Sequence, residues 1–183
     1  MVFLVNFLFN NKINKNKAFI WDSIKKNLSP IKKIDSINLD LLIGIDKQKK
    51  TLLENTENFA MGNFTNNALL WGARGNGKST LIKAIFNNLL KNYKKIRLIQ
   101  LNKNDIFDIE KIYVLLDKYK DYRFIIFIDD LSFEKIDNEY KVIKSTLDGS
   151  LLAQPKNIIL YVTSNRRHLM PRDMIDNERS SAI

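Results

Sequence analysis

A chain of 183 residues, with 45% hydrophobic and 27% charged side chains, is long enough to bury the core of one domain and has the composition of an ordinary globular protein. The absence of cysteine excludes disulfides, thiol catalysis and cysteine metal sites. The 23 lysines and 7 arginines exceed the 20 acidic residues by ten, which gives a net charge of +10. Because the lysines are spread along the whole chain, this pattern favours a diffuse solvated charge over a dedicated nucleic-acid face.

The N-terminal residues do not read as a membrane or export signal. Residues 1–9 are apolar, but they lack the basic leader and the small-residue cleavage site of a secretory peptide. No apolar run in the chain approaches the roughly 20 residues of a membrane helix. The sequence therefore predicts a cytoplasmic protein with no membrane partner.

Residues 1–38 are predicted to form an N-terminal extension that contains one helix. Over residues 18–27, Phe19, Ile20 and Ile24 recur at helical spacing. Pro30 is expected to end this helix, because a proline disfavours helical backbone in the residue before it.

A second helix is predicted over residues 47–60, after a segment of mixed character at residues 39–46. Asp46 is expected to be its N-cap, since a carboxylate there accepts hydrogen bonds from the first turn. Phe59 is expected to be buried, and Gly62 is expected to stop the helix.

The segment GARGNGKST, residues 72–80, fits the phosphate-binding pattern G-x-x-x-x-G-K-[ST]. It follows a strand-like apolar run, Ala68–Trp71, and precedes helical spacing that continues to about Leu90. Glycines let backbone N–H groups close around a phosphate, and a helix N-terminus adds about half a positive charge. Lys78 is expected to reach the outer phosphates and the Ser79 hydroxyl to ligate Mg²⁺. The candidate nucleotide-binding residues are Gly72, Ala73, Arg74, Gly75, Asn76, Gly77, Lys78, Ser79 and Thr80.

The rest of the chain alternates strand and helix signals. Strands are predicted at residues 96–101, 124–128 and 158–163, and helices at residues 109–116 and 137–147. Such alternation predicts a parallel sheet with right-handed crossovers. Because ligands bind at the carboxyl ends of strands in these sheets, the phosphate loop, Asp129-Asp130 and Ser164-Asn165 are expected to meet at one edge.

Two aspartates follow the most apolar strand, Phe124 to Ile128. Asp129 is expected to hold Mg²⁺ opposite Ser79, directly or through water. Asp130 stands where a general base would orient the attacking water, and Glu134 is an alternative for that role. The plainer interpretation is that the two carboxylates only mark the change from strand to loop.

Two other patterns are set aside. Residues 102–105 spell N-K-x-D, a guanine-reading motif, but they precede the Asp129 strand, whereas GTPases place this motif after it. His168 is the only histidine and has no cysteine or second histidine with which to share a metal.

Three of these segments together resemble the Walker A, Walker B and sensor 1 motifs of AAA+ ATPases. They are the phosphate loop, the strand ending in Asp129-Asp130, and Thr163-Ser164-Asn165. The run LIGID at residues 42–46 resembles the AAA+ element that contacts adenine, which implies contacts from Gly44 and Ile45. The resemblance further implies ATP with Mg²⁺, Asp130 in place of the usual glutamate, and Asn165 as the residue that polarises the water.

Longer stretches resemble one bacterial family of ATP-binding proteins, catalogued as a domain of unknown function (eight-one-five). They are GIDKQKKTLLENT, IDDLSFE, KSTLDGSL and VTSNRRHLMPR. The implied fold is α/β, a three-layer P-loop NTPase of AAA+ type, with a parallel sheet and helices on both faces. Residues 39–183 are then the AAA+ ATP-binding core.

The AAA+ pattern continues past sensor 1 to a fifth strand, an arginine finger and a helical lid, none of which this sequence reaches. We therefore expect a truncated core that lacks the C-terminal lid. Arg166 and Arg167 fit the finger position poorly.

Three functions stay open. The first is an AAA+ ATPase that acts on a partner through oligomerisation. The second is a catalytically weak nucleotide switch. The third is a nucleic-acid-associated, helicase-loader-like protein, which the overall charge suggests but does not favour.

Overall fold

The computed structural model describes residues 11–132 and 154–166. Six strands form one sheet in the order β2-β1-β4-β5-β6-β3. The strands are β1 (Ala18–Asp22), β2 (Asn27–Ile31), β3 (Ala68–Trp71), β4 (Ile96–Gln100), β5 (Arg123–Ile128) and β6 (Ile158–Ser164). The helices are α1 (Asp46–Met61), α2 (Lys78–Leu89) and α3 (Ile109–Asp117), with 3-10 turns at Leu39–Leu41 and Lys103–Asp108 and further helical residues at 11–15.

Five of the six strands are parallel, which confirms the predicted α/β sheet. β1 pairs with β4, β4 with β5, β5 with β6, and β6 with β3, all in parallel. The strands predicted at residues 68–71, 96–101, 124–128 and 158–163 all form, with ends that differ by one residue at most. Because parallel strands align their carboxyl ends, the ends of β3, β5 and β6 lie at the same edge of the sheet.

Apolar side chains leave both faces of the sheet, and helices cover both. On β5, Phe124, Ile126 and Ile128 pack on the side of α3, whereas Ile125 and Phe127 pack on the side of α1 and α2. This alternation follows from the two-residue period of a strand. The predicted three-layer arrangement is therefore confirmed for the described residues.

The helix predicted over residues 18–27 is wrong, because these residues contribute to a β-hairpin. Phe19 and Trp21 are buried, while Ile24, which a helix would need on its buried face, is 93% exposed. The Asp22 carboxylate accepts the N–H groups of Ile24 and Lys25, which closes the turn. Pro30 lies in β2, an outer strand of the described sheet, where the missing N–H of proline is tolerated.

The hairpin is held against the rest of the fold by one buried carboxylate. Asp108 Oδ2 accepts hydrogen bonds from the Trp21 indole at 3.0 Å and from Lys26 Nζ at 2.8 Å, and its Oδ1 accepts one from Lys111 Nζ at 2.8 Å. Since β1 also pairs with β4, this part of residues 1–38 lies within the sheet. The domain boundary at residues 38 and 39 stays a prediction.

The second predicted helix forms, but its start differs from the prediction. α1 begins at Asp46 itself, the N-cap is Ile45, and no side chain caps this end. Gly62 ends the helix as predicted: it has φ of +98° and donates its N–H to the carbonyl oxygens of Asn58 and Phe59. The helix predicted at residues 137–147 lies outside the described residues. Within the described ranges, no helix has the length and apolar character needed to cross a membrane.

Candidate nucleotide-binding site

The loop between β3 and α2 has the backbone that a phosphate-binding loop needs. Gly75 has φ of +80° and Gly77 has φ of +73°, a left-handed conformation that strains any residue with a Cβ. A Cβ built on Gly75 would meet nothing within 4 Å, so backbone conformation, and not space, selects glycine there. Gly77 is the N-cap of α2 and makes no side-chain capping bond, which leaves the first-turn N–H groups of α2 available to an anion.

Lys78 is already oriented within this loop. Its Nζ donates to the carbonyl oxygens of Gly72 and Ala73 at 2.8 Å each, and it lies 3.4 Å from Asn165 Oδ1. The last contact joins the loop to the end of β6. The ammonium group therefore stands between the phosphate loop and the predicted sensor residue.

Ser79 and Asp129, which the sequence predicts as the two sides of a Mg²⁺ site, are in direct contact. Ser79 Oγ donates a hydrogen bond to Asp129 Oδ1. Thr163 Oγ1 donates to the same carboxylate oxygen at 2.6 Å. A hydroxyl and a carboxylate are hard oxygen donors, and Mg²⁺ is usually held by one or two such protein ligands together with waters and substrate phosphates. This donor set therefore fits Mg²⁺.

Asp130 has an unusual backbone and an exposed carboxylate. Its φ is +51°, and its N–H donates to Thr163 Oγ1 at 2.9 Å. The carboxylate accepts a hydrogen bond from Asn165 Nδ2 and lies 3.8 Å from the guanidinium of Arg74. The side chain of Asp130 is 57% exposed, so water has access to the group that is predicted to activate it.

These groups line one cleft of about 340 Å³, within the size range of small-molecule sites. The lining residues are Arg74, Gly75, Asn76, Gly77, Lys78, Ser79, Thr80, Asp129, Asp130, Thr163 and Asn165. The expected meeting of the three segments at one edge of the sheet is therefore confirmed.

Four predicted nucleotide-binding residues do not line this cleft. Gly72 and Ala73 instead hold Lys78 through their carbonyl oxygens. Gly44 and Ile45 lie in the segment beside the loop: a Cβ on Gly77 would stand 3.5 Å from the neighbouring Leu42 side chain, and Ile45 packs partly into the core under α1 and α2. The adenine contact from Gly44 and Ile45 stays a prediction.

Thr163 lines the cleft, but the sequence placed it only within the segment that resembles sensor 1 and predicted no role for it. It is 1% exposed and contacts both aspartates. The available signal was its position two residues before Asn165, because side chains two apart leave a strand on the same side. The alternative base Glu134, together with Arg167 and His168, lies outside the described residues, and Arg166 is exposed just beyond β6.

The sequence matches a family model described as "Protein of unknown function (DUF815)" over residues 14–183. This chain belongs to the DUF815 family. No curated protein sequence matches the DUF815 chain.

Solved structures relate the DUF815 chain to AAA+ P-loop ATPases by fold. A single-substitution variant of RuvB from Thermotoga maritima aligns with a TM-score of 0.50 and 23% identity, over 76% of this chain and 44% of that chain. PCH-2 from C. elegans aligns with a TM-score of 0.49 and 16% identity, over 86% of this chain and 45% of that chain. The RuvB alignment shows that the DUF815 chain shares the fold of that AAA+ P-loop protein, and the chain spans less than half the length of these two relatives.

Proposed function

We propose that this DUF815 chain binds ATP with Mg²⁺ and hydrolyses it. The observation that carries the proposal is the direct contact of Ser79, in the phosphate loop, with Asp129, 50 residues later in the chain, next to Asp130 and Asn165 in the same cleft. The contact joins the two halves that a P-loop metal site needs. A glycine turn that merely linked β3 to α2 would have no need for this arrangement.

Each side chain has a part that follows from its position. Lys78 would exchange its carbonyl partners for the outer phosphates of the nucleotide, because an ammonium ion gains more from an anion than from neutral oxygens. Ser79 and Asp129 would hold Mg²⁺, which offsets the negative charge of the phosphates when bound. Asp130 would accept a proton from the attacking water while Asn165 orients it.

A second candidate function is a nucleotide-dependent switch with weak turnover. The contacts of Asp130 favour it, because the carboxylate is engaged by the Asn165 amide and lies near Arg74. An exposed ion pair contributes at most about 1 kcal/mol, so a bound nucleotide could readily rearrange it. In either case we propose that the nucleotide state is passed to a partner protein or to further copies of the chain.

The proposal is tested by measuring ATP binding and turnover in the same preparations. ATP at a hundred times its Kd should stabilise the fold by about 2.7 kcal/mol, which a thermal-shift titration with Mg²⁺ detects. Lys78→Ala should lose this stabilisation. The matched control is Lys91→Ala, an exposed lysine just beyond the far end of α2, roughly 20 Å away at 1.5 Å per residue, and it should keep the stabilisation.

Turnover then separates the two candidates. If Asp130 is the base, Asp130→Ala should bind ATP normally and lose about 10²–10⁴-fold in hydrolysis rate. ATP binding without measurable turnover in the unaltered chain would favour the switch. Absence of ATP stabilisation in the unaltered chain, or its survival in Lys78→Ala, would contradict the proposed site.

A further inference from the structure

Thr163 lies where β6 passes the end of β5. The ladder between the two strands ends at the pair Ile128 and Val162, and the next residue of β6 faces the segment that carries both aspartates. The Thr163 backbone oxygen accepts the N–H of Leu131 at 2.8 Å. Thr163 thus holds the chain immediately after β5 by its backbone as well as by its side chain.

The hydroxyl of Thr163 bridges the two aspartates with a defined polarity. The N–H of Asp130 can only donate, so Thr163 Oγ1 accepts this bond, at 2.9 Å. The single hydroxyl proton is then left for Asp129 Oδ1, at 2.6 Å. One buried side chain therefore orients the carboxylate of Asp129 and the backbone of Asp130 together.

This bridge has consequences for both aspartates. Asp129 Oδ1 accepts hydrogen bonds from both Ser79 and Thr163. These two bonds fix the orientation of the carboxylate group and therefore also the position of its other oxygen, Oδ2. The N–H bond of Asp130 secures a left-handed backbone, with φ of +51°, that a residue with a side chain adopts at a cost. Thr163 is 1% exposed, so its hydroxyl makes these bonds with little contact with bulk solvent.

We propose that Thr163 is a positioning residue: it orients the Asp129 carboxylate to bind Mg²⁺, and it holds the Asp130 backbone so that the Asp130 carboxylate can contact the attacking water. This inference rests on the proposed function. Partners of metal ligands fix the orientation of the ligand, and their loss typically weakens metal affinity or activity by about 10–100-fold. A residue that served only the core would affect stability and leave the Mg²⁺ requirement unchanged.

The test uses Thr163→Val, which keeps the shape and removes the hydroxyl. Mg²⁺ is titrated at fixed ATP, and thermal stabilisation is recorded, so that the readout does not depend on turnover. In Thr163→Val, the Mg²⁺ concentration that gives half of the maximal thermal stabilisation should rise about 10–100-fold. The affinity for ATP without Mg²⁺ should stay within about threefold of that of the unaltered chain. Within the described residues, the Thr163 hydroxyl bonds to the two aspartates and not to the phosphate loop. Where turnover is measurable, kcat of Thr163→Val should fall, whereas its KM for ATP at saturating Mg²⁺ should stay unchanged.

Three further variants keep the result interpretable. Thr163→Ser retains the hydroxyl and should restore the Mg²⁺ requirement of the unaltered chain. Thr163→Ala carries the same expectation as the valine variant if valine packs badly. The matched control is Thr56→Val in α1, which removes another fully buried hydroxyl. The Thr56 hydroxyl donates to the Leu52 carbonyl oxygen at 2.6 Å and forms a hydrogen bond with the Tyr161 hydroxyl at 2.9 Å. Thr56→Val should leave the Mg²⁺ requirement unchanged.

The outcomes separate this inference from the function on which it rests. An unchanged Mg²⁺ requirement in Thr163→Val, or an equal rise in Thr56→Val, would overturn the positioning role alone. Failure of the unaltered chain to bind ATP would overturn the proposed function, and this inference with it.

Discussion

The left-handed backbone of Asp130 predicts that glycine should be tolerated there better than alanine, although both substitutions remove the carboxylate. The φ of this residue is +51°. Asp130→Gly and Asp130→Ala lose the same contacts with Asn165 and Arg74. Their difference in unfolding free energy therefore isolates the backbone, which makes the pair a direct test of the geometry at the candidate base.

The size of the difference follows from two opposing terms. Alanine in a left-handed conformation costs about 1–2 kcal/mol, whereas glycine adopts it freely. Against this, the glycine variant loses roughly 0.5–1 kcal/mol of stability relative to alanine, because its unfolded chain has more conformational freedom. Asp130→Gly should thus be more stable than Asp130→Ala by about 1 kcal/mol, or about 2–4 °C in Tm for a chain of this size.

Urea unfolding of the two variants measures this difference, and an ordinary helical position supplies the control. Glu54 lies inside α1 and is also exposed, and its carboxylate is 3.9 Å from Lys50 Nζ. There the order should reverse, with alanine about 1 kcal/mol more stable than glycine. If Asp130→Ala proved as stable as Asp130→Gly, or more stable, while the Glu54 pair behaved normally, the left-handed geometry of Asp130 would be refuted.

Two further predictions concern buried charges outside the cleft. Burial alone would raise the pKa of Asp108, but the hydrogen bonds from Lys111, Lys26 and Trp21 outweigh the effect of burial and lower this pKa below its ordinary value. The ionised carboxylate therefore stabilises the fold at pH values above the unfolded pKa of about 3.9. This contribution is lost progressively as the pH falls below the unfolded pKa toward the lower pKa of the folded state. The stability difference between the unaltered chain and Asp108→Asn, measured by urea unfolding, should narrow between pH 7 and pH 3, and a constant difference would contradict this ionised role. Arg97 is 2% exposed and donates to the carbonyl oxygen of Ile13 at 2.8 Å and to those of Lys94 and Ile96 at 2.7 Å each, so Arg97→Met should cost about 1–3 kcal/mol for each buried oxygen that is left without a donor; a neutral effect in urea would show that water reaches these oxygens.

The elements that the sequence predicted correctly have local causes. β5 is a run of apolar residues long enough to be buried on both faces, and α2 starts where a glycine with positive φ ends the loop. The residues that predict each of these elements lie next to one another in the chain. The sequence predicted Asp46 as the N-cap, whereas the helix begins at Asp46 and its N-cap is Ile45. The N-cap is defined by backbone angles, and the sequence does not reveal these to within one residue.

The hairpin was mispredicted because its signal is ambiguous in isolation. Phe19, Ile20, Ile24 and Leu28 satisfy helical spacing, but Phe19 and Trp21 also satisfy the alternation of a strand. Pairing of β1 with β4, which lies about 80 residues later, selects the strand. A helix could not satisfy the hydrogen bonds of that sheet edge.

The sequence by itself determined that this chain has a phosphate loop, a parallel sheet and two aspartates after a buried strand, because each of these is written in adjacent residues with a characteristic spacing. The tertiary structure alone decided that Thr163 bridges Asp129 and Asp130, that Arg74 faces Asp130, and that the hairpin extends the sheet. These contacts join residues that are tens of positions apart. Hydrogen-bond polarity and backbone angle, which set the roles of the side chains in the cleft, are defined only when the strands that carry them are placed side by side.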